Sequence, residues 1–292
     1  MAKAAVHTAD MRGMQLRRNS ATMPIRNVTG GQPVSLDLPE PRTDHLERSP
    51  LSLVVCQVRH ERNDTVSEAP RAVAVHEQIA DLYPQLEDQA SQELMIMAGE
   101  SGVQAGPSQA SRGWRMRDSG GSWTVTLMPD FFSVETTSYE TWSDFSGRTK
   151  QVLNTVVDEL HPAVEERIGL RFIDRITHPS VTVPADWRGL IQPAFLGPIE
   201  SGIGEAVAAT QNVVQLGLDD GRNVILRHGA ARETTPNGEA IYIVDTDCFV
   251  QRGRALSLDR ALASIESLHS LALQLFQAAI TDSLYEYLQG AD

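Results

Sequence analysis

The sequence predicts an α+β fold made of two sheet-and-helix units with largely antiparallel strands. Apolar, β-branched segments alternate along the chain with segments of helical period, and short turn sequences join several of the strands directly. Strands joined by tight turns are antiparallel, and helices that follow such strands pack on the face of their sheet. A chain of 292 residues is long enough for one large or two small domains.

The first unit is predicted at residues 51–180. Residues 1–50 are polar and end in a proline-rich run, so we expect them to form a flexible, disordered N-terminal arm. Residues 85–111 have no clear period, apart from a possible short helix at 93–97. The unit begins with a strand at 51–59 and a helix at 73–83, followed by a hairpin of residues 113–117 and 122–128. A further strand at 131–136, an amphipathic helix at 141–160 and a long strand at 167–176 complete it.

The second unit is predicted at residues 181–292, after a proline-rich crossing. We expect three strands, followed by one long amphipathic helix over residues 258–288 that would measure about 45 Å. The strands are predicted at residues 206–218, 223–228 and 240–250. Both units contain an apolar strand, an aspartate and then an amphipathic helix, which suggests a weak internal repeat.

Composition excludes several classes of protein. The net charge of −13 argues against binding to free duplex nucleic acid, which requires clustered basic side chains. Only Lys3 and Lys150 are lysines, and neither lies in a phosphate-binding loop sequence. The two cysteines have no metal-ligand spacing, which argues against a thiolate metal site. The leading expectation includes no metal and no cofactor. There is no long apolar run or secretory signal, which predicts a cytoplasmic protein that does not enter the membrane.

Three residues could support catalysis, although no complete catalytic set is visible. Asp245 and Asp247 are two residues apart in a predicted strand, so their carboxylates point to one face and could share a divalent ion. This would suit a metal-dependent hydrolase or nuclease, but ion pairs with arginine are the more ordinary role of such residues. His269 lies on the apolar side of the long helix, where it is either a catalytic base or a buried histidine.

Several arginines fall in or beside predicted strands of an otherwise acidic body, among them Arg59, Arg167, Arg171 and Arg227. They could bind an anionic small molecule, since a guanidinium group recognises phosphate or carboxylate with two hydrogen bonds. Internal ion pairs with aspartate and glutamate are the competing interpretation. The apolar face of the long helix offers a candidate interface, at Leu262, Ile265, His269 and Phe276.

Four strings together resemble a sporadically distributed family of uncharacterised bacterial proteins, of about 250–290 residues. They are residues 49–59, residues 132–139, the strand Arg167-Ile-Gly-Leu-Arg-Phe-Ile-Asp174 and the helix that contains Leu268-His269. The similarity extends over residues 50–290, and His60 departs from it, because an aromatic residue is more usual there. The resemblance implies a standalone α+β protein of mobile-element or phage-defence biology, with no catalytic residues to carry over.

The sequence therefore favours a non-enzymatic protein-binding or assembly component. Its expected partner is another protein, contacted through residues 1–50, and we expect it to form a homo-oligomer through the C-terminal helix or through exposed strand edges. A hydrolase or nuclease that uses Asp245 and Asp247, and a sensor of an anionic small molecule, remain the alternatives.

Overall fold

The computed structural model describes residues 36–92, 96–99, 102–105, 110–232 and 238–291. Eleven strands are present in these residues: β1 Leu51–His60, β2 Gln85–Gln92, β3 Ile96–Gly99, β4 Gly102–Ala105, β5 Ala110–Arg117, β6 Trp123–Met128, β7 Phe131–Thr136, β8 Val164–Ile176, β9 Asn212–Gly217, β10 Arg222–Arg232 and β11 Ala240–Ala255. The helices are α1 Ala69–Ile79, α2 Trp142–Leu160, α3 Pro193–Leu196, α4 Leu258–Ala279 and α5 Asp282–Leu288.

Nine strands form one antiparallel sheet in the order β2-β5-β6-β7-β1-β8-β11-β10-β9, and β3 pairs with β4 apart from it. The predicted α+β class with largely antiparallel strands is confirmed. The sheet crosses the boundary predicted at residue 180, because β8 of the first predicted unit pairs with β11 of the second. The described residues all belong to one compact unit.

The two halves of the sheet repeat one topology. β1 and β8 pair at the centre, and the strand that precedes the amphipathic helix of each half lies beside its central strand, β7 next to β1 and β11 next to β8. Helices α2 and α4 follow those two strands directly in the chain. The arrangement agrees with the internal repeat that the sequence suggests.

The apolar core lies between one face of this sheet and the helices. Alternate residues of the central strands are fully buried, for example Val54, Cys56 and Val58 in β1. Helix α2 begins where the Thr141 hydroxyl accepts the backbone N–H of Asp144, and it ends at His161, which adopts a left-handed conformation. These boundaries match the predicted helix to within a residue.

The predicted long C-terminal helix is interrupted. Helix α4 ends at Ala279, Ile280 forms a bridge with Ile191, and α5 begins after Thr281. The Thr281 hydroxyl accepts the backbone N–H of Leu284, which is the capping arrangement that starts a new helix. The prediction of one helix over residues 258–288 was therefore wrong, since a cap at Thr281 competes with helix continuation.

Residues 36–50 of the predicted flexible arm pack against the C-terminal helices. The backbone N–H of Arg48 donates to the carbonyl of Leu288 at 2.9 Å, and the Arg42 guanidinium lies 3.5 Å from the centroid of the Tyr285 ring. Leu36, Leu38 and Leu46 contact the core. The arm prediction is thus corrected for these residues, whereas residues 1–35 lie outside the described chain. In the described residues, no helix combines the length and the hydropathy that a membrane crossing requires.

Candidate functional site

The sheet has one face covered by helices and one face that carries charge. Ring contacts from helices and turns reach Phe172, His228 and Tyr242, which all point to the covered face. Side chains alternate along a strand, so the odd-numbered residues of β8 and β11 point the other way. We call this second side of strands β8, β11 and β10 the open face, defined by the residues Arg167, Gly169, Arg171, Ile225, Arg227, Asp245, Asp247 and Phe249.

The structure explains the order of residues in the Arg-Ile-Gly-Leu-Arg string. Ile168 and Leu170 are fully buried in the core, whereas Arg167, Gly169 and Arg171 lie on the open face. The Arg167 guanidinium crosses the position where a Gly169 side chain would stand, 2.4 Å from an ideal Cβ. Glycine therefore leaves room for the arginine to lie flat along the strand.

Arg167 uses this room to make two contacts on β11. Its guanidinium carbon lies 4.4 Å from the centroid of the Phe249 ring, and its Nη2 donates to both carboxylate oxygens of Asp247, at 3.0 and 3.2 Å. Phe249 is 5% exposed, although it stands on the open face. The arginine thus covers an aromatic ring while it holds a carboxylate.

Arg171, four residues further along β8, also holds a carboxylate of β11. Its Nε and Nη2 each donate to one oxygen of Asp245, both at 2.6 Å, and Arg227 of β10 approaches the same carboxylate at 3.5 Å. The Asp245 side chain is 9% exposed, so this nearly buried charge depends on its arginine partners. The hydrogen bonds to Asp245 raise the pKa of Arg171, and it remains protonated.

Charge on the open face is not balanced. Three arginines, Arg167, Arg171 and Arg227, face two aspartates, which leaves one positive charge among these five side chains. This excess stands in a chain with a net charge of −13. Arg227 is the partner that is held least closely, and 36% of its side chain is exposed.

Asp174 lies on the covered face of β8, in the same stretch of strand as Arg171. It is 4% exposed, and its pairing partners on the neighbouring strands are Leu51 and Val244. Burial, with a smaller contribution from the negative charge of Asp245, raises the pKa of Asp174 to about 8. The carboxyl group is therefore mostly protonated at neutral pH.

The predicted ligand arginines are not free in this structure. Arg167, Arg171 and Arg227 come together as described, whereas Arg59 binds Asp130 at 2.5 Å. Arg59 is directly opposite Arg167 in the pairing of β1 with β8. The competing interpretation from the sequence, internal ion pairs, is what the four side chains make.

The three candidate catalytic residues do not meet. Asp245 and Asp247 point to the open face, while His269 lies on the helix side with 17% of its side chain exposed, and its ring stacks on Trp142 with centroids 3.8 Å apart. Burial lowers the pKa of His269 to about 4, so the ring is neutral at physiological pH. In the parts of the chain that the structure describes, no three histidine, cysteine, aspartate or glutamate side chains are grouped so that they could hold a metal ion.

The candidate interface residues of the long helix belong to the chain's own core. Ile265 and Phe276 are 2% and 7% exposed, and His269 fills the contact between α4 and α2. Leu262 packs at the margin of the same core. This face of α4 is therefore covered by the protein itself, and a partner could reach it only if the core opened.

Sequence reasoning missed the roles of Gly169, Phe249 and Asp174. A glycine between two arginines in a strand was a usable signal, because glycine in a strand often marks a close approach by another group. Asp174 gave no signal, because its burial depends on which face of β8 the helices cover.

Substitution of Gly169 by alanine should destabilise the protein less than the same substitution of Gly229. An alanine Cβ there meets only the movable end of Arg167, whereas at Gly229 it meets the backbone carbonyl of Thr210 at 2.0 Å. We expect Gly169→Ala to cost at most about 1 kcal/mol and Gly229→Ala about 2 kcal/mol or more. Urea unfolding of both variants measures this difference, and equal losses would contradict the distinction between a flexible and a rigid neighbour.

Comparison with known proteins does not assign this chain to a family. No protein-family model matches the chain, and no curated protein is similar to it.

Proposed function

We propose that this chain is a cytoplasmic, non-enzymatic binding component that contacts an acidic segment of another protein through the open face. The observation that carries the proposal is the unbalanced set of three arginines and two aspartates on neighbouring strands. Arginine is enriched where protein partners bind, and its planar group pairs with carboxylates with good geometry.

The geometry also supports binding over turnover. Asp245 and Asp247 accept hydrogen bonds from Arg171 and Arg167 through both of their oxygens. A divalent ion at either carboxylate would have to displace an arginine and would leave its positive charge beside the metal. The hydrolase alternative is therefore less well supported than binding.

A small anion fits this face less well than a protein segment does. Arg167 and Arg171 already hold carboxylates and Arg227 approaches one, so a single phosphate would have to compete for each guanidinium group. A protein segment can add several carboxylates and apolar contacts along the strands. The partner we propose is accordingly an acidic segment of a protein, docked across β8, β11 and β10.

The test compares Arg227→Gln with Arg62→Gln in the full chain, purified from its own cells. Arg62 is an exposed arginine outside the open face, and its partner is Asp64. Native mass spectrometry should show a second protein with the wild type and with Arg62→Gln. Arg227→Gln should weaken that complex at least about ten-fold.

Three outcomes would overturn the proposal. The partner could bind all three forms equally, which would place the contact elsewhere, for example on residues 1–50. The protein could carry only a small anionic adduct, which would favour the sensor. A metal-dependent turnover that Asp247→Asn abolishes in a folded protein would favour the hydrolase.

A further inference from the structure

The two edges of the nine-stranded sheet differ in how they are protected. Edge strand β2 carries Glu87 and Asp88 and follows Pro84, and charge and proline both discourage pairing with another strand. Edge strand β9 has the sequence Asn-Val-Val-Gln-Leu-Gly and carries no charge. Around it, residues 206–218 contain no charged residue at all, in a chain where 22% of the residues are charged.

Apolar exposure is concentrated at the same edge. Five large apolar residues are exposed in the described chain, and three of them, Ile203, Val213 and Val214, lie on β9 or shortly before it. Val213 is 56% exposed and Val214 is 39% exposed. An uncharged strand with exposed valines at the end of a sheet is a template for a further strand.

Among the described residues, the outer side of β9 has no strand partner for its backbone groups. Thr210 and Leu218 donate their N–H groups inward, to the carbonyls of Ala230 and Arg222. Inward and outward residues alternate along an antiparallel strand, so the even-numbered residues bond to β10. The N–H and C=O groups of Gln211, Val213, Gln215 and Gly217 therefore point away from the sheet.

We propose that β9 pairs with β9 of a second copy of this chain, in an antiparallel arrangement with its two-fold axis at Val214. In this register the outward groups of Val213 bond to those of Gln215 in the second copy, and Val214 lies opposite its own equivalent. The sheet then continues from one protomer into the other. This inference is independent of the proposed function of the open face.

Charge favours this edge as the place where a second copy docks. Two copies that each carry −13 repel each other wherever acidic surfaces would meet, and the uncharged segment 206–218 avoids that repulsion. A two-fold pairing also places valine against valine, which is a favourable cross-strand pair. One strand supplies both sides of the contact, as a closed dimer requires.

The first test is sedimentation velocity of the full chain over a concentration series. Val214→Lys places two positive charges opposite each other at the two-fold axis, so we expect dimer dissociation to become at least about ten-fold easier. Val73→Lys is the matched control, because Val73 is also 39% exposed but lies on α1. It should leave the dimer unchanged.

A second variant keeps the test meaningful if the lysine disturbs the strand. Val213→Pro removes an outward N–H, and the bonds between β9 and β10 stay intact because they use the even-numbered residues. Circular dichroism should show a folded chain, and sedimentation should show monomer. A dimer that survives both β9 variants would overturn the proposal, as would a wild type that stays monomeric throughout the series.

Disulfide trapping tests the register itself. In a non-hydrogen-bonded antiparallel pair the Cα atoms are about 4.5 Å apart, which lies within the span of a disulfide. Val214→Cys should thus form a covalent dimer under mild oxidation, while Val213→Cys and Val73→Cys should form far less. The native Cys56 and Cys248 are buried and do not compete. Equal cross-linking of all three variants would contradict this register.

Discussion

Asp174→Asn should remove a large part of the pH dependence of this protein's stability. The pKa of Asp174 is raised to about 8 in the folded chain, mainly by burial, whereas an unfolded aspartate has a pKa of about 3.9. Between these values the folded chain holds a proton that the unfolded chain has released. The contribution of this group to stability is complete below about pH 4 and is lost as the pH rises to about 8.

The expected size follows from this linkage. Each pH unit inside the window changes the free energy of unfolding by about 1.4 kcal/mol, so this group alone lowers it by about 4 kcal/mol from pH 5 to pH 8. Asparagine does not titrate, so the advantage of Asp174→Asn over the wild type should grow by about that amount over the same range. Urea unfolding at several pH values measures it.

Asp186→Asn serves as a control of opposite sign. The Asp186 carboxylate accepts backbone hydrogen bonds from Thr182 and Val183, which lower its pKa. Its replacement should cost stability above the unfolded pKa and give no advantage at alkaline pH. A wild type and an Asp174→Asn variant whose stabilities run parallel from pH 5 to pH 8 would contradict the protonated state of Asp174.

Removing Arg171 should be the most damaging change on the open face. Arg171→Met leaves the Asp245 carboxylate, which is 9% exposed, with Arg227 alone at 3.5 Å. A buried charge that loses its main partner destabilises a protein by several kcal/mol. Because Arg227 remains, we expect a loss of about 2 to 3 kcal/mol in the free energy of unfolding at pH 7.

A double-mutant cycle separates the ion pair from the unpaired charge. Arg171→Met combined with Asp245→Leu removes both charges, and most of the lost stability should return. Arg167→Met is the matched single variant, and it should cost less because the Asp247 side chain is 20% exposed. A double variant as unstable as Arg171→Met would show that packing, and not the isolated charge, causes the loss.

The fold could be predicted from the sequence where the pattern is local. The hairpin of β5 and β6 and the limits of α2 follow from turn residues, strand alternation and a threonine cap. The joining of both halves in one sheet could not be predicted. It depends on β8 pairing with β1 and β11, and pairing between distant strands leaves no local mark.

The residues of the candidate site could be predicted from local pattern, but the contacts between them could not, because these depend on the pairing of distant strands. Strand alternation placed Asp245 and Asp247 on one face, the strand arginines were recognised as lying in or beside strands, and ion pairing was weighed against ligand binding. The pairing of Arg167 with Asp247 across Gly169 required the register of β8 against β11. His269 was recognised as a residue that could be buried, but its partner Trp142 comes from a helix more than a hundred residues earlier.

The central position of β1 affects how the chain can fold during synthesis. β1 ends at His60, yet its two neighbours, β7 and β8, begin at Phe131 and Val164. A ribosome therefore exposes an apolar strand for some seventy residues of synthesis before its first partner exists. Contacts between such distant segments slow folding, and they make the nascent chain a client for chaperones that hold unpaired strands.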